Sequence, residues 1–207
     1  MASFDERARD WDTPRRIARA REVAAAIRAA VPLSRKDRLI DVGAGTGLLG
    51  LALADDVGEV VLSDPSAGMI EVASEKVQVG RLNRVRAVRH DLVADPPLLD
   101  RFDIAVSLLV PHHVEDTAAA LAAIRELLVP GGWIALADLD TEDGTFHSAE
   151  AEGIHHHGFD RDAIERLAAE SGLVDVSTRT AMVINEDEAG EGYPVFLLTG
   201  RRMLAGA

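Results

Sequence analysis

At 207 residues, 47% of them hydrophobic, the chain is long enough for one domain with a sizeable core, and no apolar run reaches the length of a membrane span. A formal net charge of −13 sets it against nonspecific attraction to phosphate backbones. With no cysteine, disulfides, thiolate catalysis and thiolate metal ligands are excluded in this chain; Met1 to Trp11 lacks a signal-peptide pattern, so a cytoplasmic location is expected.

Phe4 to Ala8, followed by Trp11 and Asp12, reads as a compact mixed segment. Thr13 then offers an N-cap with Pro14 at the first helical position. Ile17, Ala20, Val23, Ala24, Ile27 and Val31 follow at helical spacing and stop before Pro32. Leu39 to Val42 is a short apolar strand, and Asp41 near its end introduces Gly43, Ala44, Gly45, Thr46 and Gly47. Leu48 to Ala54 resumes with helical periodicity. Glycines at every second position keep side chains out of the way of a ligand lying across the turn, and the turn opens onto a helix N-terminus with unpaired N–H groups. A dinucleotide fingerprint would place its third glycine one position later.

Glu59 to Ser63 predicts a second strand with Asp64 at its end. There a carboxylate accepts from both hydroxyls of a ribose, each bond contributing about 1.5–3 kcal/mol; the competing reading is a cap for the helix beginning near Ser66. Val85 to Arg89 predicts a third strand closed by His90-Asp91-Leu92, and Asp95-Pro96-Pro97 breaks regular structure. Phe102 to Leu108 is nearly continuous apolar, as a strand covered on both faces should be. It runs into His112 and His113 before a helix over Thr117 to Leu128, at the carboxyl end of a parallel strand, where ligands bind.

Pro130-Gly131-Gly132 predicts a turn before a fifth strand from Ile134 to Ala137, ending at Asp138. The long loop that follows carries Glu142, Asp143, Phe146, His147, Glu150, Glu152 and His155-His156-His157, and loops of this length are usually lids or binding segments. His155 and His157 share a face in an extended chain, but no metal ligand set is assigned. A helix from Phe159 or Asp160 to Ser171 precedes strands over 173–184 and 193–200, joined by the loop Asn185 to Gly192.

In this order and spacing, the glycine turn after Asp41, then Asp64-Pro65-Ser66 with Met69, Asp91, and Pro130-Gly131-Gly132 resemble the class I S-adenosylmethionine-dependent methyltransferases over roughly residues 37–140. The Phe4 to Asp12 pattern is similar to small-molecule members. The resemblance implies an α/β, Rossmann-like, doubly wound sheet of seven mostly parallel strands with an antiparallel last strand. All lies in one domain: an N-terminal helical lid (1–31), a cofactor-binding core (37–140), and a substrate loop, last helix and edge strands (141–207). It implies S-adenosyl-L-methionine, with S-adenosyl-L-homocysteine as product. The cofactor would be held by Asp41, Gly43, Ala44, Gly45 and Gly47, by Asp64 on the ribose with Pro65 and Met69, by Asp91 and Leu92 at the adenine, and by Ser107 and Leu108.

Methyl transfer by in-line displacement to a small-molecule acceptor follows, with Trp11, His112, Phe146 and His157 toward the substrate. His113 or His147 would be the base where the acceptor carries a proton. Aligning donor and acceptor contributes about 7–11 kcal/mol, more than the factor of about 10²–10⁴ from one base. No nucleic-acid or membrane partner is implied, and the chain would be a monomer or homodimer. A catalytically silent cofactor-binding or partner module on the same fold is the competing reading.

Overall fold

The computed structural model describes residues 4–147, 153–185 and 192–204. At its centre, β1 (Arg38–Val42) lies between β2 (Glu59–Asp64) and β4 (Phe102–Leu108), parallel to both. Outward on one side follows β3 (Val85–Arg89); on the other come β5 (Leu128–Leu139), β7 (Tyr193–Arg202) and the edge strand β6 (Leu173–Ile184). The seven-stranded order is β3-β2-β1-β4-β5-β7-β6, with β7 antiparallel to both neighbours. The predicted sheet and its antiparallel last strand are therefore observed. Strand order reverses between β1 and β4, which opens a crevice beyond their carboxyl ends.

Alternation along the central strands sends successive side chains to opposite faces, and each face meets helices. Leu39, Ile104 and Val106 pack with Val23 and Ile27 of α2 (Pro14–Ala30) and with Leu49 and Leu53 of α3 (Leu48–Leu53). Ile40, Val42 and Ala105 belong to the opposite cluster, with Leu121 and Ile124 of α5 (Thr117–Leu127) and Ile164 of α6 (Arg161–Glu170). Each fully buried Leu or Ile contributes about 1.5–3 kcal/mol, so covering both faces explains the unbroken apolar run of β4.

The helix starts follow their caps. Thr13, Ser66, Asp116 and Asp160 each accept from the backbone N–H three residues on, the last three opening α4 (Ala67–Val79), α5 and α6. Each cap contributes about 1 kcal/mol. One expectation is corrected: Pro130-Gly131-Gly132 lies inside β5 rather than before it. Pairing jumps from Phe102↔Leu128 to Ile104↔Trp133, so the extra residues bulge out, with Gly131 at φ 82. A proline and a left-handed glycine fit such a bulge because neither position demands a regular ladder bond. Glu150, Glu152 and most of the loop Asn185 to Gly192 lie outside the described residues. Among the described residues, no helix is long and apolar enough to cross a membrane.

Candidate functional site

The glycine turn closes β1 with left-handed backbone at Gly43, Gly45 and Gly47 (φ 67, 54 and 85). A Cβ on Gly43 would stand 2.5 Å from Val110 Cγ2, and one on Gly47 2.7 Å from Leu62 Cδ1, so both are packed shut. Gly45 is different: Trp11 Nε1 at 3.6 Å and Met69 Sδ at 3.8 Å from its ideal Cβ are the nearest atoms, ordinary contact distances. Its backbone is thus the approachable part of the turn, and Ala44 beside it is pinned by its N–H to Ser63 O, 2.9 Å.

Asp64 serves the turn and the following helix together. Its Oδ2 accepts from Gly45 N (2.7 Å) and its Oδ1 from Ser66 N (2.9 Å), leaving a second lone pair on each oxygen. Burial raises its pKa against the pull of these two N–H groups. The cap of α4 is Ser66, and Asp64 holds only the N–H of that capping residue, so the capping reading of Asp64 gives way while its remaining lone pairs suit a ribose.

Other residues assigned to the cofactor have structural partners. The Asp41 carboxylate, 1% exposed, turns into α3 and accepts from Gly50 N at 2.8 Å; burial pushes its pKa up to about 7. Ser107 Oγ donates to Val42 O (2.7 Å), locking β4 to the end of β1. Asp91 Oδ1 accepts from Val93 N and Ala94 N, both at 2.9 Å, while Leu92 packs against the core and Pro65 O accepts from Arg89 Nε. Met69 is fully buried on α4, and Leu108 packs half-buried at the end of β4. The side chains of Asp41 and Ser107 thus point into the protein and shape the turn.

The N-terminal segment crosses this turn. The Arg16 guanidinium lies 3.9 Å over the Trp11 ring, and Phe4 packs against Trp11 at 5.8 Å and edge-on to His113 at 5.6 Å. Asp5 accepts from Ser66 Oγ and Gly68 N, while Asp12 bonds Thr46 and pairs with Lys76. Polar ties at both ends thus hold the aromatic pair over the crevice.

Beyond β4 the backbone turns sharply at Leu109, a non-glycine residue at φ 55 fixed by its N–H to Ala137 O. Such strain persists where surrounding structure over-determines it, and it clusters at functional sites. The turn lays Val110 over Gly43 and starts a 3₁₀ turn, Pro111–His113, that aims both histidines inward. His112 is 1% exposed; its Nδ1 meets Asp138 Oδ1 at 2.6 Å, and its backbone N–H donates to Asp138 Oδ2 at 3.0 Å. Asp138 is wholly buried and also accepts from Leu139 N, so it is a carboxylate ringed by donors. That fixes a proton on His112 Nδ1 and leaves Nε2 facing His147 Nε2 at 3.1 Å.

His113 Nδ1 donates to Gly153 O at 2.8 Å. Burial, then the neighbouring His112 ring, pushes His113 down to about 4, and the same causes lower His147. A ring held that far down is a weak proton acceptor at neutral pH, which argues against His113 as the base. Phe146 stacks edge-on to His147 (4.7 Å) and Tyr193 (5.2 Å), which places it beside the cluster. His157 is not brought in: its side chain is 63% exposed and lies beside Glu142 Oε1 at 3.3 Å. Asp138 was missed from the sequence, where it read as a strand end; its signal was a lone acid closing an apolar strand next to a strand that delivers two histidines.

A family model described as "Methyltransferase domain" matches residues 14–178. An uncharacterized methyltransferase of Schizosaccharomyces pombe is 30% identical over 133 residues, 58% of this chain and 47% of that protein. A ubiquinone biosynthesis O-methyltransferase of Chelativorans is 32% identical over 161 residues, 72% of this chain and 62% of that protein. The chain spans about half the length of the curated relatives it matches. Phosphoethanolamine N-methyltransferase 2 of Haemonchus contortus, solved in complex with S-adenosyl-L-methionine, superposes with a TM-score of 0.73 at 18% identity, covering 98% of this chain and 60% of that one. At that identity the likeness shows the fold.

Proposed function

Because this chain belongs to the class I S-adenosylmethionine-dependent methyltransferases, we propose that it methylates an oxygen of a small molecule seated between the glycine turn and the three imidazoles. The observation that carries the reading is the buried Asp138–His112 pair at the carboxyl ends of β5 and β4. Both are placed where the acceptor must lie if the cofactor crosses the turn. The residues fit that cofactor: Gly45 presents open backbone, and both Asp64 oxygens keep acceptor capacity toward ribose hydroxyls.

When bound, S-adenosylmethionine supplies an electrophilic methyl on a sulfonium, and transfer of the methyl returns the C–S electron pair to sulfur. The chain's own part is alignment and proton removal. Asp64 and the glycine turn hold the adenosine end, while Trp11 and Phe4 keep water from the crevice. The acceptor's proton leaves through the imidazole cluster, where Asp138 orients the His112 ring. An oxygen acceptor is favoured over an already nucleophilic one because an oriented Asp–His pair has work to do when a proton must be lost.

The test is calorimetric titration with S-adenosylhomocysteine, followed by labelled methyl transfer to a panel of phenols, catechols and hydroxy acids. Micromolar binding and methylation of an oxygen are expected; no binding, or methylation confined to nitrogen or carbon acceptors, would overturn the reading. Asp64→Ala should weaken S-adenosylhomocysteine by about 10–100-fold, the equivalent of about 1.5–3 kcal/mol for a bond to a charged acceptor. Unchanged affinity in a folded variant would remove Asp64 from the ribose site.

A further inference from the structure

We propose that His112, His113 and His147 form a binding site for one divalent transition-metal ion. One ring nitrogen from each of the three lies within 4.8 Å of the others. Ring centroids stand 4.1, 5.1 and 5.6 Å apart, closer than three independent surface imidazoles need to be. They reach this point from separate places in the chain: two from the 3₁₀ turn after β4 and one from the loop after β5.

The direction of the lone pairs carries the inference. His112 gives its Nδ1 proton to the Asp138 carboxylate and His113 gives its Nδ1 proton to the Gly153 carbonyl. Each ring therefore keeps an unprotonated Nε2 as its possible ligand atom, that of His112 now facing His147 Nε2. A metal-ligating histidine commonly shows this arrangement, with its other nitrogen donating to a carboxylate or a backbone carbonyl that fixes the tautomer. His112 Nε2 and His147 Nε2 already stand 3.1 Å apart. Two tetrahedral nitrogens at bonds of about 2.0–2.1 Å would stand about 3.4 Å apart, so this pair needs little movement. Three neutral imidazoles and no thiolate suit zinc, cobalt or nickel over magnesium or calcium.

With three protein ligands a fourth position would stay open. That this position takes the acceptor oxygen rests on the oxygen-methylation reading; the ion site itself does not. A bound ion would help remove the acceptor's proton in place of a free imidazole.

Titration of the 207-residue chain with Co(II), followed by its visible absorption, tests the site without any substrate. One equivalent with the intense band of a tetrahedral nitrogen site is expected. His147→Ala, a half-buried loop position, should weaken Co(II) by at least about 100-fold while S-adenosylhomocysteine still binds. The double variant His155→Ala/His157→Ala should leave the Co(II) affinity unchanged. Absence of the band in the wild type, or its survival in His147→Ala with loss in the double variant, would overturn the site. Failure of the methylation reading would show instead as lost S-adenosylhomocysteine binding or the wrong acceptor atom, with the Co(II) band intact.

Discussion

Asp138→Asn should lower turnover by about 10²–10⁴-fold, while S-adenosylhomocysteine affinity stays within about threefold of wild type. The reason is the count of donors around one buried side chain. His112 Nδ1 and Leu139 N both approach Oδ1, and His112 N approaches Oδ2, so both oxygens must accept. An amide has one oxygen. Its NH₂ would face either the His112 backbone N–H or the His112 ring, and in the second case the ring must surrender its Nδ1 proton and move it to Nε2. In that second case the nitrogen that faces His147 loses its lone pair, whether it takes the acceptor's proton directly or holds an ion; in the first, two buried N–H groups confront each other and the turn that aims the ring is pushed out of place. The effect is on kcat because the glycine turn and Asp64 lie on a different strand pair. Steady-state kinetics with a methylated acceptor, alongside a thermal melt to confirm folding, decides it: a folded variant with turnover within a few-fold of wild type would show that Asp138 is structural.

Much of the fold was legible because its signals are local. Thr13-Pro14, Ser66 and Asp160 sit at the helix starts that their side chains cap. The run Phe102 to Leu108 reads as a doubly covered strand because both faces meet helices. The glycine turn and Asp64 were legible for the same reason, since backbone access and a carboxylate at a strand end are requirements on single positions. The imidazole site was not. Asp138 meets His112 through the parallel register of β4 and β5, with Leu108 opposite Ala137, which no spacing along the chain encodes. His147 arrives from a loop and Gly153 closes on His113 across 40 residues. Pattern reading therefore points to His113 or His147 as the base and gives His112 to the substrate, whereas the orienting carboxylate belongs to His112. Pro130-Gly131-Gly132 misled in the opposite way: as a turn signal it was sound, but pairing with β4 absorbed it as a bulge within β5.

The stability advantage of Asp41→Asn over wild type should grow by about 2–3 kcal/mol between pH 5 and pH 7 and stay level above that. Asp41 is buried under the glycine turn, and burial pushes its pKa from 3.8 to about 7; the Gly50 N–H opposes this and Asp64 reinforces it. Between those two values the folded chain holds a proton that the unfolded chain has released. Wild-type stability therefore falls as pH rises through that window, by roughly 1.4 kcal/mol per pH unit. Asparagine keeps an acceptor for Gly50 N and has no proton to lose, so it escapes the fall. Urea unfolding of both proteins at several pH values isolates the group, because every other titration is shared; a gap that does not change with pH would exclude Asp41. The same buried carboxyl is expected to respond to charge placed on the turn. S-adenosylmethionine carries one more positive charge than its product, and a cation over the turn favours ionised Asp41. Its binding near pH 6.5 should accordingly release more protons than binding of S-adenosylhomocysteine, a difference that calorimetry in two buffers of unlike ionisation enthalpy reads directly and that Asp41→Asn should remove. Equal proton release by both ligands in the wild type would mean that the sulfonium sits too far from Asp41 to be felt, and that the residue shapes the turn without sensing what lies on it.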